Sequence, residues 1–353
     1  MIRRAAPVVE PLDCRRLLSA PPKITAAVAD NRGEVQITFS RFVQIESNAV
    51  RFFTAGTDGQ IGTADDVRKT DVTFRLIRSR NRMVIDGDTP ADAPYRVQLV
   101  SSRITSKADD VDNPITGRKR LDGEFTGALP TGDGRNGGDF HFIARPDTSS
   151  RPLARMTTTV GILDLRLRRD FAPVSVANFL SYANSGRYDG TFFNRAAPGF
   201  VLQAGALRVV GEAENSRVVQ DVLDAPINQE PLAEGNSNRL GTVAFVRSGP
   251  QGLATNQFFF NLADNPGLDT ADEFHNVVYN PFAELANDAD RALISQIAGS
   301  SLENLQRNIR ATIPGGLSEV PVRSPLSGQR FQPARDLFLI QRVAVRMSVE
   351  PVR

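Results

Sequence analysis

Apolar side chains recur at every second position through the first part of this chain, and a period of two restricts it to extended strands with one face buried. Val35, Ile37 and Phe39 alternate with polar neighbours, as do Tyr95, Val97 and Leu99. Further apolar runs at 72–77, 83–85 and 140–143 are set apart by clusters of Gly, Asp, Asn and Pro, the spacing of an antiparallel β-sandwich. No helical period competes between Pro22 and about Arg145. One all-β domain is expected over residues 22–145.

At 353 residues the chain is long enough for two cores. Pro146-Asp147-Thr148-Ser149-Ser150-Arg151-Pro152 is a polar, proline-bounded stretch, after which the pattern changes. Thr157 to Leu165 reads as one strand. Pro173 to Tyr182 reads as an amphipathic helix, with proline in its first turn and Val176, Phe179 and Leu180 on one face. A second helix is expected from Asp288 to Ile297, and Leu337 to Val345 as a closing apolar strand. Many strands with two helices predict a capped barrel. The expected organisation is a tail at 1–21, a β-sandwich at 22–145, a linker at 146–155 and a mainly β domain at 156–353.

Composition narrows the function. Acidic and basic side chains nearly balance at a net charge of +2, and the arginines are scattered among acids rather than gathered into the stripe that a phosphate backbone demands, so no nucleic-acid partner is implied. No segment approaches the ~20 apolar residues of a membrane-spanning helix. A single cysteine, Cys14, allows neither an internal disulfide nor a thiolate metal cage. The loops Asp58 to Asp66 and Gly132 to Asp139 are acidic and glycine-rich. They lack EF-hand spacing and are read as solvated turns rather than Ca²⁺ loops. Phosphate-loop, nucleophile-elbow and zinc-helix motifs are absent.

One run carries chemistry: Tyr188-Asp189-Gly190-Thr191-Phe192-Phe193-Asn194-Arg195, then Pro198-Gly199-Phe200-Val201-Leu202-Gln203-Ala204-Gly205. Alone it would pass for two core strands with a surface arginine. A second run follows: Gly241 to Val246, Gly249-Pro250, Asn256-Gln257-Phe258-Phe259-Phe260, then Leu268-Asp269. Together, in order and at these distances, the runs resemble the cyclophilin family of peptidyl-prolyl cis-trans isomerases. The helix beginning Ala172-Pro173-Val174 resembles that family's opening helix. The resemblance spans roughly 156–347 and implies a closed antiparallel β-barrel capped by two helices.

It also implies non-covalent, cofactor-free and metal-free acceleration of Xaa-Pro rotation in proline-containing polypeptides. Arg195, Phe200, Gln203 and Phe259 would be the catalytic residues. Asn194, Val201, Val246, Arg247, Gln257, Leu268 and His275 would bind substrate. Asn194 departs from the family's usual histidine, Val201 from methionine and Arg247 from a frequent asparagine. Gly267 stands where many members carry tryptophan, which implies weak cyclosporin binding. The Gly-Pro to Gln segment is one residue longer than is usual in the family, and 268–278 carries extra residues, so His275 aligns with either pocket or loop.

Residues 22–145 resemble bacterial Ig-like modules, with Leu121 to Phe125 placed as a closing strand. Pro11 to Ala20 resembles a short signature of exported bacterial proteins, which implies the periplasm or cell surface without excluding the cytoplasm. A monomer is expected. The alternative function is a catalytically weak module that binds proline-containing segments on a surface or adhesion protein.

Overall fold

The computed structural model describes residues 21–77, 81–106, 118–220, 223–248, 251–271, 277–309 and 316–352. The Pro11 to Ala20 signature, Cys14, Gly249-Pro250 and His275 lie outside them. The chain divides into two compact units, one ending at Arg145 and joined by the residues from Met347 onward, the other Pro146–Arg346.

The first unit is built from short strands: β1 (Ile24–Asp30), β2 (Glu34–Phe39), β3 (Val43–Ile45), β4 (Val50–Thr54), β5 (Val67–Lys69), β6 (Thr73–Ile77), β7 (Arg82–Asp86), β8 (Tyr95–Leu99), β9 (Ile104–Ser106) and β10 (Phe140–Pro146). Antiparallel pairing gives one ladder β1-β2-β7-β6 and another β10-β8-β4-β5. The alternation works as expected: Val35, Ile37, Phe39, Tyr95, Val97, Leu99, Phe140 and Phe142 form one buried cluster.

Leu121 to Phe125 forms isolated bridges at Asp122 rather than the expected strand. The buried Asp122 explains the difference. Its carboxylate accepts the N–H groups of Asp133 (3.0 Å) and Gly134 (2.9 Å) and lies 3.4 Å from Lys23 Nζ, so the segment is tied to a turn instead of a ladder. Carboxylate oxygens of Asp122, Glu124 and Asp133 lie within 4.8 Å of one another. Burial, aided by Asp122, raises Glu124 above its ordinary value. In the other acidic loop, the Thr63 hydroxyl, the Asp58 N–H and the Thr57 hydroxyl hold Asp65 down at about 2.

The second unit contains β11 (Leu153–Thr158), β12 (Gly161–Leu167), α1 (Pro173–Asn184), β13 (Thr191–Ala197), β14 (Val201–Val210), β15 (Arg217–Gln220), β16 (Thr242–Phe245), β17 (Phe258–Asn261), β18 (Ala283–Leu285), α2 (Asp288–Ala298), β19 (Ser301–Glu303), β20 (Val320–Val322), α3 (Pro333–Asp336) and β21 (Ile340–Pro351). The run expected as one strand over 157–165 is a hairpin. Thr158 Oγ1 accepts the N–H groups of Val160 and Gly161 and donates to the Gly161 carbonyl, folding the chain back so that Met156 faces Leu163. Leu153 already pairs with Arg166, so the strand begins inside the expected linker. The residues from Met347 onward join the first unit because Met347 packs in its core.

Antiparallel ladders run β21-β11-β12-β18-β16-β17-β14-β13. Phe192 bridges back to Leu339, and the Gly190 and Phe193 N–H groups donate to Ile340 and Phe338 carbonyls. Both helices appear where expected. Proline leads α1, and its free N–H groups at Val174 and Ser175 are met by the Glu230 carboxylate at 2.8 Å each, charge placed well against a helix N-terminus. Its buried face carries Val176, Phe179 and Tyr182 into an aromatic core, where Phe179 meets Tyr188 and Phe282 at 5.2 Å between centroids. Among the described residues, no helix is long and apolar enough to cross a membrane.

Truncating Phe179, which is fully buried, should cost about 3–5 kcal/mol, whereas Val174→Ala on the exposed side of the same helix should stay within about 0.5 kcal/mol. Denaturant unfolding of the full chain distinguishes them, and equal effects would contradict the packing described.

Candidate active site

The site follows from strand register. Arg195 on β13 is opposite Gln203 on β14, Gln203 is opposite Phe259 on β17, and Phe259 is opposite Ala244 on β16. Directly paired residues share a sheet face, so a cation, an amide and an aromatic ring form one row. The opposite face of these strands is core: Phe193, Leu202, Ala204, Val243, Phe245, Phe258 and Phe260 are buried together.

On the outward face Val201, Ala244 and Phe259 form a separate apolar cluster, with Ala197, Val246, Leu268 and Tyr279 packed against it. The Tyr279 ring stands edge-on to Phe259, 5.6 Å between centroids at 72°, and its N–H donates to the Leu268 carbonyl. Gln257 Nε2 donates to Gln203 Oε1 at 3.3 Å, which fixes both amides at one edge. A hydrogen-bonded group holds the wall in place. Asn238 Nδ2 donates to Asp269 Oδ1 and to the Tyr279 carbonyl, and Asn261 Nδ2 reaches Asn238 and Thr242.

Thus the structure brings together Arg195, Gln203, Phe259, Val201, Val246, Gln257 and Leu268. Three other expected residues sit differently. Phe200 follows the Pro198-Gly199 turn, where Gly199 takes φ +75°, and the residue is 41% exposed, outside the cluster. Asn194 is fully buried, and neither polar atom of its side chain meets a partner among the described residues. It is the extra residue of a bulge, since Phe193 pairs with Ala204 and Arg195 with Gln203. Arg247 is buried and donates to the Gly252 carbonyl of its own loop. Burial pulls its guanidinium below the ordinary value, and Glu230 and Tyr279 act to raise it.

Two site residues were not read from the sequence. Tyr279 lies just past the stretch of extra residues, with no motif to mark it. Glu319 places Oε2 3.4 Å from Arg195 Nε, from a segment far downstream. A cavity of about 190 Å³ elsewhere in the unit, lined by Arg168, Arg239, Arg291 and Glu284 among others, contains none of the expected site residues.

Residues 153–304 match the family model described as cyclophilin type peptidyl-prolyl cis-trans isomerase/CLD. The chain is 37% identical over 143 residues to peptidyl-prolyl cis-trans isomerase A of Dickeya dadantii, covering 40% of this chain and 70% of that protein. It is 32% identical over 143 residues to peptidyl-prolyl cis-trans isomerase B of Escherichia coli, covering 40% and 81%. With a peptidyl-prolyl cis-trans isomerase of Acinetobacter baylyi it shares 34% over 119 residues, covering 34% and 59%. A Cryptosporidium parvum cyclophilin structure aligns at 17% identity over 55% of this chain and 97% of that one, with a TM-score of 0.35.

The chain belongs to the cyclophilin-type peptidyl-prolyl cis-trans isomerase family. Its enzyme class is that of a peptidyl-prolyl cis-trans isomerase.

Tyr279→Ala removes the wall that stands against Phe259 and should weaken binding of a short Ala-Pro peptide by about 2–10-fold, the scale of roughly 0.5–1.4 kcal/mol of lost contact. Titration of the full-length variant by NMR checks this; unchanged affinity would take Tyr279 out of the site.

Proposed function

We propose that the row Arg195, Gln203, Phe259 accelerates rotation about Xaa-Pro bonds of polypeptide substrates without any covalent step. The observation that carries this reading is the register that sets one guanidinium beside an amide pair and an apolar cluster on the outward face of β13, β14, β16 and β17.

The chemistry is a matter of differential binding. Rotation about a peptide bond faces a barrier of about 18–20 kcal/mol from amide resonance. In the twisted state that resonance is lost, and the prolyl nitrogen regains a lone pair able to accept a hydrogen bond. A donor aimed there stabilises the twisted state over both planar ones, which is the condition for faster exchange. Arg195 is that donor. A guanidinium offers a fixed fork of N–H groups, enough for the nitrogen and a neighbouring carbonyl together.

Val201, Phe259 and Leu268 grip the proline ring, and Phe200, exposed at the turn, closes over it. Gln203 holds the substrate backbone beside Arg195, and Val246 and Gln257 border the groove. Asn194, fully buried, and Arg247, bonded to the Gly252 carbonyl, act from within the fold rather than on substrate, and His275 keeps the substrate role that the family resemblance implies. The ladder that returns from β13 through Phe192 to Leu339 is read as a closed barrel capped by α1 and α2. The first unit is read as an Ig-like sandwich of two ladders. Export to the periplasm or cell surface and a monomeric state complete the proposal.

Exchange of an Ala-Pro peptide followed by NMR tests it on the full chain. Arg195→Ala should lower the accelerated exchange by roughly 10²–10³-fold, the scale of losing one preorganised donor at a transition state. If the parent binds peptide without accelerating its exchange, the chain is instead a proline-peptide binding module.

A further inference from the structure

The family match ends at residue 304, yet the segment beyond it is built into the unit. Leu305, Ile309, Leu317, Val320, Val322 and Leu337 bury against Phe192, Leu207 and Val209 on β13 and β14. β20 pairs with β19, and Val322 is bridged to Leu337. The segment therefore docks along the strand that carries Arg195.

Its reach to the site is specific. The Ala196 N–H donates to the Glu319 carbonyl at 2.8 Å, which fixes the Glu319 backbone next to Arg195. From there Glu319 Oε2 lies 3.4 Å from Arg195 Nε. A carboxylate on the Nε edge leaves the far Nη–Nη edge of the planar fork to point elsewhere, and it restricts rotation of a long side chain that otherwise has several rotamers. The side chains of the pair are 23% and 46% exposed, and ion pairs so exposed contribute little to stability.

We propose that Glu319 is a positioning residue. It takes the Nε edge of Arg195 and turns the Nη edge toward the substrate's prolyl nitrogen, so that residues beyond the family match complete the active site. This rests on the role given to Arg195 above. A small misplacement of a catalytic donor lowers rate far more than affinity, and that split is the signature of the proposal.

The test is peptide exchange by NMR with full-length Glu319→Ala, Glu319→Gln, Arg195→Ala and the Arg195→Ala/Glu319→Ala double variant, with peptide Kd and Tm measured on each. Glu319→Ala should exchange bound peptide about tenfold more slowly, with Kd within about twofold and Tm unchanged. Glu319→Gln, which keeps an acceptor oxygen, should recover most of the rate. In the Arg195→Ala background, Glu319→Ala should have no further effect, as expected of residues acting as one unit.

A parental rate in Glu319→Ala, or a loss that tracks a fall in Tm, overturns the proposal. So does a Glu319→Gln variant as slow as Glu319→Ala. If Arg195→Ala itself keeps the parental rate, the role of Arg195 fails and this inference with it. If Arg195→Ala is slow while Glu319→Ala is not, only Glu319 is removed from the site.

Discussion

The register between β13, β14, β17 and β16 is the constraint on which core and site both depend. Side chains alternate across a strand, so the pairing that buries Leu202, Phe258 and Phe260 inward sets Gln203 and Phe259 outward. A slip of one residue would exchange the two sets and place a glutamine in the core. The core thus holds the site in register: the aromatic packing behind the sheet enforces the alignment in front of it. On β13 strict alternation is broken. Phe193 and Ala196 both face the core three positions apart, which requires the bulge at Asn194. That extra residue lets Arg195 face outward while apolar neighbours on both sides stay buried.

The bulge has a local energetic consequence. Asn194 is buried with its amide unpartnered among the described residues, and a buried polar group left so costs about 1–3 kcal/mol. A leucine at that position would remove the penalty. Polar atoms kept in the interior beside the proposed catalytic arginine are the kind of local inconsistency that accompanies functional sites, although full burial keeps Asn194 itself from touching substrate.

Legibility in the sequence followed the range of the interactions concerned. Both helices were visible because apolar period is local, and Pro173 marks the start of the first; the cap of the second, Asn287, whose side chain accepts the Asp290 N–H, is seen only in the structure. The apolar half of the site was visible because motif spacing encodes strand pairing. The hairpin at Thr158 was not, since Thr157 to Leu165 is apolar enough to run on as one strand and only a threonine hydroxyl bonding its own turn breaks it. Leu121 to Phe125 failed for the converse reason. Its alternation suits a strand, but Asp122 is claimed by N–H groups eleven and twelve residues away. Tyr279 and Glu319 reach the site only through tertiary contacts, and no local pattern announces them.

Glu230 shows how one carboxylate couples distant parts of the second unit. It satisfies the N–H groups of Val174 and Ser175 and accepts the Ser175 hydroxyl at 2.5 Å, supplying the cap that Ala172 has no side chain to give. It is also the leading charge acting to raise the guanidinium of buried Arg247. A helix N-terminus carries partial positive charge, so the anion is well placed there. The loop between β15 and β16 is thereby tied to the opening helix. Because Gln257 bonds Gln203, and Gln203 stands in register with Arg195, the amide pair and the guanidinium of the outward row are held by one framework.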